Sequence, residues 1–457
     1  MSPLWTASEI AAATGGSASA EFAVTGVTFD SREVGPGDLF LALKGEATDG
    51  HKFLDGAFAA GAAGALVSEP TDQPNVKVGD TMAALNDLGV ASRSRTDARI
   101  IGVTGSVGKT STKEALAAAI ARANKGAVHR SVKSYNNHTG VPLSLARMPA
   151  ASRFGVFEMG MNHAGEIAAL TRLVRPHVAL VTAIAPAHIE NLGSIEAIAD
   201  AKGEIFAGLE PGGIAVIPFD TPHRDRLIAA AKSSASSIRT FGRGEGADIR
   251  AVEVVQTDKG RMIMAVLPGA ELSFTLAQPG EHWVSNAMAV LATVQAIGGD
   301  LAAAGLALGE MEGLTGRGAQ TRIKIGQATA LVIDDSYNAN SASMVATLGV
   351  LGDTPASRRI AILGEMRELG GESERLHAEL AEPIIAASVD FAILVGDGMA
   401  PLASALDGRV EYVHARDANL ALETAQRMVS GGDVILVKGS NAVGLGRVVA
   451  GLIDGRS

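Results

Sequence analysis

Short apolar runs alternate with amphipathic stretches along most of this chain, and the alternation changes character twice. In the first hundred residues the runs are brief and broken by turns: strand-type segments at 23–29 and 39–43, a helix-type stretch at 53–60, then a strand at 64–67. A polar stretch at 87–99 closes that unit. Beyond Arg99, near-continuous apolar runs at 100–103, 154–158, 178–184 and 214–217 predict strands buried on both faces. Helical periodicity at 113–123, 165–173 and 195–209 predicts the helices that cover them. Residues 251–276 read as a β-ribbon with a turn at Thr257-Asp-Lys-Gly260, and a helix at 285–297 follows. A second alternation runs through 331–335, 360–363, 391–395 and 434–437, each strand ending in a Gly- or Asp-rich turn. The pattern predicts an α/β protein of three domains: a smaller N-terminal α/β domain at 1–98, a central parallel-sheet domain at 99–314, and a Rossmann-like C-terminal domain at 315–457.

Composition narrows the possibilities. A chain of 457 residues can bury about three separate cores, and 54 glycines suit the many tight turns of strand–helix repeats. A formal charge of -10, with no basic run, argues against a nucleic-acid partner, which needs a basic face. The absence of cysteine excludes disulfides, thiolate metal sites and a thioester route to an amide bond. The first ten residues carry no basic segment followed by an apolar core, and the run at 177–184 is only strand-sized. The expectation is a cytoplasmic monomer without membrane insertion.

The run from Arg99 to Lys113 changes the picture most. An apolar strand leads into Gly105-Ser-Val-Gly-Lys-Thr110 and then into the helix former Lys113-Glu-Ala-Leu. Strand, glycine-rich loop and helix N-terminus in that order cradle phosphates on backbone N–H groups, here those of Gly105, Ser106, Val107, Gly108 and Ser111. Lys109 can reach the β- and γ-phosphates, and the Thr110 hydroxyl can hold Mg²⁺. The common form of this loop requires Gly at position 103, where the chain has Val103, so the loop is the short Gly-x-x-Gly-Lys-Thr. ATP is the expected cofactor.

A triphosphate site needs further cation ligands, and two strand ends offer them. Glu158 ends a buried strand and is followed by loop, which favours metal ligation over a helix-capping role. His188 lies just past the third strand, where a structural role is equally open. Lys202 sits on a helix returning toward the same edge and by itself reads as a surface residue. Asn136 and Asn137 read as turn chemistry, notable only for lying between the loop helix and the Glu158 strand.

Gly105-Ser-Val-Gly-Lys-Thr110, Asn136-Asn-His-Thr-Gly-Val-Pro142, Glu158-Met-Gly-Met-Asn-His163, Ala187-His-Ile-Glu190 and Ala201-Lys-Gly-Glu-Ile205 together resemble the Mur ligases of peptidoglycan precursor synthesis. The resemblance covers essentially the whole chain. Asp30-Ser-Arg32, Pro36-Gly-Asp38 and Lys44-Gly-Glu-Ala-Thr-Asp-Gly-His51 resemble that family's UDP-binding domain, which implies substrate contacts from Ser31, Arg32, Lys44, Asp49, His51, Asn136 and Asn137. Ile333-Asp-Asp-Ser-Tyr-Asn-Ala-Asn340, Leu363-Gly-Glu-Met-Arg-Glu-Leu-Gly370 and Val437-Lys-Gly-Ser440 resemble the branch that adds D-Ala-D-Ala.

The resemblance implies that ATP phosphorylates the terminal carboxylate of UDP-MurNAc-tripeptide and that the amine of D-Ala-D-Ala attacks the acyl phosphate. It implies catalytic Lys109, Glu158, His188 and Lys202, and two Mg²⁺, one on Thr110 and Glu158 and a second on His188. It further implies a carbamylated Lys202 beside the metal. Asn286 would contact adenine, although capping the following helix is equally good chemistry. Asp335 would bind the ribose and Tyr337 would lie against the base, the alternative being a strand-end turn. Arg317 would touch the nucleotide, with Arg322 nearby as the other candidate, and Asn441 stands where a basic residue is expected. A sister ligase with another acceptor, including a folylpolyglutamate synthase, and a P-loop ATPase switch are the competing readings.

Overall fold

The computed structural model describes residues 3–45, 48–187 and 189–455. Three large sheets organise the described residues, each with its own apolar core on both faces, beside a two-stranded pair of Trp5–Thr6 and Ala23–Val24. The first has five strands in the order Ser17–Ala18, Asn75–Lys77, Gly64–Val67, Asp38–Leu41, Gly26–Thr28, all parallel except the Ser17–Ala18 edge. Its strands are short, but Leu39, Phe40, Leu41, Leu66 and Val67 are fully buried, which explains why apolar runs of four residues suffice there.

The polar reading of residues 87–99 does not hold for their first half. A helix, Thr81–Ser94, runs through it, capped by the Asp80 carboxylate on the N–H groups of Met82 and Ala83. Its buried face is carried by Ala84, Leu85 and Leu88, so three apolar contacts outweigh the polar residues that face solvent.

The second sheet has nine strands in the order Ala270–Leu276, Gly260–Leu267, Ile249–Thr257, Ser237–Gly242, Ile214–Pro218, Val178–Val181, Arg99–Thr104, Phe154–Glu158, Val128–Arg130. The seven from Ile249–Thr257 to Val128–Arg130 are parallel, and the ribbon expected from the alternation adds the antiparallel edge. Arg99–Thr104 is flanked by Phe154–Glu158 on one side and Val178–Val181 on the other, so the chain winds away from it in both directions. Such a reversal opens a crevice at the strands' carboxyl ends, and the phosphate-type loop begins there.

Element ends shift modestly from expectation. The strand expected at 178–184 stops at Val181, and the helix expected at 195–209 is the α-helix Ile195–Gly203 followed by a 3₁₀ turn, Glu204–Gly208. The helix expected at 285–297 is Glu281–Ala296.

The third sheet runs Ala319–Ile325, Ala328–Asp335, Asp433–Lys438, Arg358–Gly364, Phe391–Val395, Glu411–Ala415, parallel beyond its first hairpin. Asp335 and Lys438 are register partners at the carboxyl ends of adjacent strands, which brings two distant sequence motifs side by side.

Candidate active site

Gly105 and Gly108 both adopt positive φ, 148° and 82°. A Cβ at Gly105 would run into the Thr182 hydroxyl, and one at Gly108 would lie 2.8 Å from Asn286 Oδ1, so both positions need glycine for close approach as well as conformation. Thr182 pins the loop from the neighbouring strand end, donating to Val107 O at 2.6 Å, while Ser106 N–H donates to Ala183 O at 2.8 Å. The helix Lys109–Ala123 that follows has no side-chain cap, which leaves its N-terminus to serve an anion.

Lys109 folds back onto its own loop, donating to Gly105 O at 2.6 Å. Burial holds its ammonium below the usual lysine range, the Glu158 carboxylate pulls it back up, and the Arg317 cation lowers it further. Glu158, fully buried at its strand end, accepts from Thr110 Oγ1 at 2.8 Å and from Asn136 Nδ2 at 2.7 Å. Asn137 does different work: its side chain accepts from the N–H of Gly140 at 2.8 Å and so starts the helix Gly140–Ala146.

Lys202 is not a surface residue. Its side chain is fully buried, and its Nζ has no hydrogen-bond partner among the described residues. Burial drives its pKa well below the ordinary lysine range, the nearby Lys109 cation adds to that, and Glu204, Glu166 and Glu158 only partly oppose it. His188 lies outside the described residues.

A cavity of about 530 Å³ opens above the loop, between the second and third sheets. Its walls include Lys109, Thr110, Glu158 and Asn286 on one side and Arg317, Asp335, Tyr337 and Lys438 on the other. Asn286 lies five residues beyond the helix start at Glu281, so it is not the cap; the cap position is Gly280. Arg317 stacks 4.3 Å over the Tyr337 ring and donates to Ser134 Oγ at 3.0 Å. Arg322 is exposed on the strand Ala319–Ile325 and does not line the cavity, which separates the two candidates. Asp335 accepts from Lys438 Nζ at 2.5 Å and Thr347 Oγ1 at 2.8 Å. Its neighbour Asp334 shapes the turn instead, accepting from Gly316 N–H at 2.7 Å and Ser336 Oγ at 2.6 Å. His282, also in the wall, is pushed by burial down to about 4 and presents a neutral imidazole.

The remaining expected contacts lie on the first sheet's loops, away from this cavity. Arg32, beside Ser31 on an exposed turn, is gripped by both oxygens of Asp30, whose carboxyl is lowered to about 2 chiefly by that bond. Lys44 pairs with Glu69 at 2.7 Å and bridges to Asp49 through the backbone. The His51 ring is held between Asp49 at 2.6 Å and the Ser68 N–H at 3.0 Å. Asn441 is exposed at the start of a 3₁₀ turn. Thr182, Ser134 and Lys113 carry site geometry that single-sequence reading does not single out. Only Lys113, four residues after Lys109 and hence on the same helix face, left a trace in the spacing.

The chain is similar to known proteins along most of its length. The Mur ligase middle domain family matches residues 103–294, the Mur ligase glutamate ligase domain 321–441, and the Mur ligase family catalytic domain 23–122. The UDP-N-acetylmuramoyl-tripeptide–D-alanyl-D-alanine ligase of Escherichia coli is 36% identical over 439 residues, spanning 95% of this chain and 94% of its own. A crystal structure of MurF from Acinetobacter baumannii superposes with a TM-score of 0.84 at 31% identity, covering 98% of this chain and 99% of that one. MurF ligase from Thermotoga maritima in complex with ADP superposes with a TM-score of 0.76 at 26% identity, over 93% and 96% of the two chains.

Proposed function

Because this chain belongs to the Mur ligase family, we propose that it is the ATP-dependent ligase joining D-Ala-D-Ala to a UDP-N-acetylmuramoyl-tripeptide in peptidoglycan precursor synthesis. The observation that carries this reading is the cavity in which the phosphate-type loop of the second sheet faces Arg317, Asp335 and Lys438 of the third. A nucleotide held between two units that can part and close suits a reaction whose intermediate must be kept from water.

A terminal carboxylate oxygen of the tripeptide attacks the γ-phosphorus of ATP, and ADP leaves. The amine of D-Ala-D-Ala then attacks the acyl carbon, loses a proton, and the carbon–oxygen bond to phosphate breaks. Both steps ask for charge neutralisation rather than a nucleophilic side chain. Lys109 and the loop N–H groups (Gly105 to Ser111) serve the phosphates. Asn286 and Tyr337 border the base, Asp335 the ribose, and Arg317 the nucleotide from the third unit.

The oxygen donors Thr110 and Glu158 suit a hard cation, and Mg²⁺ held there would neutralise the transferring phosphoryl group. His188 would serve a second ion. The buried amine of Lys202, without a partner among the described residues, supports carbamylation, which would turn a costly buried base into a hydrogen-bonding carboxylate-like group. We assign the UDP sugar to residues 1–98 through Ser31, Arg32, Lys44, Asp49 and His51, with Asn136 and Asn137 at the junction. Residues 99–314 take ATP and 315–457 the dipeptide.

The test is direct. Folded protein given ATP, Mg²⁺, the UDP-tripeptide and D-Ala-D-Ala should release phosphate only with all substrates present. No release overturns the reading, release without either peptide substrate points to an ATPase switch, and release with another acceptor points to a sister ligase.

A further inference from the structure

Lys113 lies one turn past Lys109 on the loop helix, and no part of its side chain is exposed. The reaction proposed above has no use for it. Its ammonium donates to the carbonyls of Ser131 at 2.8 Å and Lys133 at 2.6 Å, and stands 3.0 Å from Glu114 and 3.9 Å from Glu158 Oε2. A buried cation survives only where its donors are filled and a counter-charge is near. The helix does not need it for attachment, because Leu116, Ala119 and Ile120 already pack into the sheet core.

The ammonium holds the segment 131–134. Lys133 has φ of 52°, a left-handed conformation that is strained for a non-glycine residue, and its carbonyl takes the shorter of the two Lys113 bonds to this segment. The next residue is Ser134, whose Oγ lies 3.3 Å from the Thr110 hydroxyl and accepts from Arg317 at 3.0 Å. On the other side, Ser131 Oγ accepts the Glu158 N–H at 3.3 Å. One ammonium therefore fixes both the segment beside Glu158 and the serine that joins the phosphate loop to the third unit's arginine.

We propose that Lys113 is a positioning residue for ligation, acting through Ser134 and Glu158 and never touching substrate. The inference rests on the ligase reading. Lys113→Met keeps the length and removes the charge. It should lower kcat about tenfold or more while leaving KM for the tripeptide and dipeptide within about threefold. Amide hydrogen exchange should rise selectively at 131–136. Ser134→Ala alone should cost about tenfold in kcat, but on the Lys113→Met background less than about twofold, because the hydroxyl it removes has already lost its place.

If Lys113→Met does not fold, Lys113→Arg takes the same measurements. A planar guanidinium cannot match the two-carbonyl geometry of a point-like ammonium, and kcat should fall about fivefold. Wild-type kcat in the variant, full additivity with Ser134→Ala, or unchanged exchange at 131–136 each overturns the proposal. A wild-type protein inert toward all substrates overturns the ligase reading instead, and exchange at 131–136 then decides whether Lys113 holds the segment.

Discussion

Lys202 is where a single residue speaks most clearly. A fully buried amine without a partner is a liability, since leaving a polar group unsatisfied costs about 1–3 kcal/mol. Lys202→Met fills the same space with apolar atoms and removes that liability. The expected outcome is a melting temperature equal to or above the wild type, together with a loss of ligation of about a hundredfold or more if a carbamate there is essential. Thermal melts beside phosphate release check it, and a variant that loses stability while keeping its rate would sink the idea. Taken alone, the residue type reads Lys202 as a surface residue; the return of helix Ile195–Gly203 toward the strand ends, expected from the sequence, is what buries it. Asn286 carries the same lesson. A start one turn earlier than expected, at Glu281 instead of near Ser285, turns a cap into a cavity wall.

Among the elements, the strand–loop–helix from Arg99 to Ala123 was the most legible, because strand, loop and helix are contiguous and their chemistry is backbone chemistry. Its tightness was not legible. Gly105 faces Thr182 from a strand almost eighty residues later, and nothing local announces that contact. Gly105→Ala should therefore push the loop off Thr182 and Ala183, weakening ADP binding about tenfold or more while the rest of the fold persists. Calorimetry with ADP would read it, and unchanged affinity would show that the loop tolerates the shift. The polar look of 87–99 hides the second half of the helix Thr81–Ser94 for a comparable reason: its apolar stripe is narrow and is completed only by residues from other elements, among them Leu143 and Ala146.

Across the whole molecule, the two junctions differ in kind. The first unit shares an apolar core with the helix Gly140–Ala146, and Trp5 Nε1 donates to Ala146 O at 2.8 Å under the Arg95 guanidinium. The third unit meets the second largely through polar contacts: Arg317 on Ser134, Glu190 N–H on Glu368 O at 3.4 Å, and Arg261 near Asp353 at 3.6 Å. Apolar burial resists separation, whereas a polar contact loses little when water replaces each partner. The first two units should move as one body and the third should swing against them. Arg317→Ala should then abolish most of the compaction that ADP and Mg²⁺ induce, read as a change in radius of gyration by X-ray scattering. Equal compaction in variant and wild type would assign closure to other contacts.

Local order was enough to determine the α/β class and the phosphate-type loop, because near-continuous apolar runs and a glycine-rich turn declare themselves within a few residues; the other candidate residues came from the resemblance to a known family. Tertiary structure alone decided that Arg317 and not Arg322 faces the cavity, that Asp335 meets Lys438, and that Lys202 and Lys113 are buried amines with opposite fates, one without a partner among the described residues and one fully engaged. These depend on strand order and helix return. A side chain's burial and its partners are set by elements far away in the chain, and spacing along the sequence does not encode that distance.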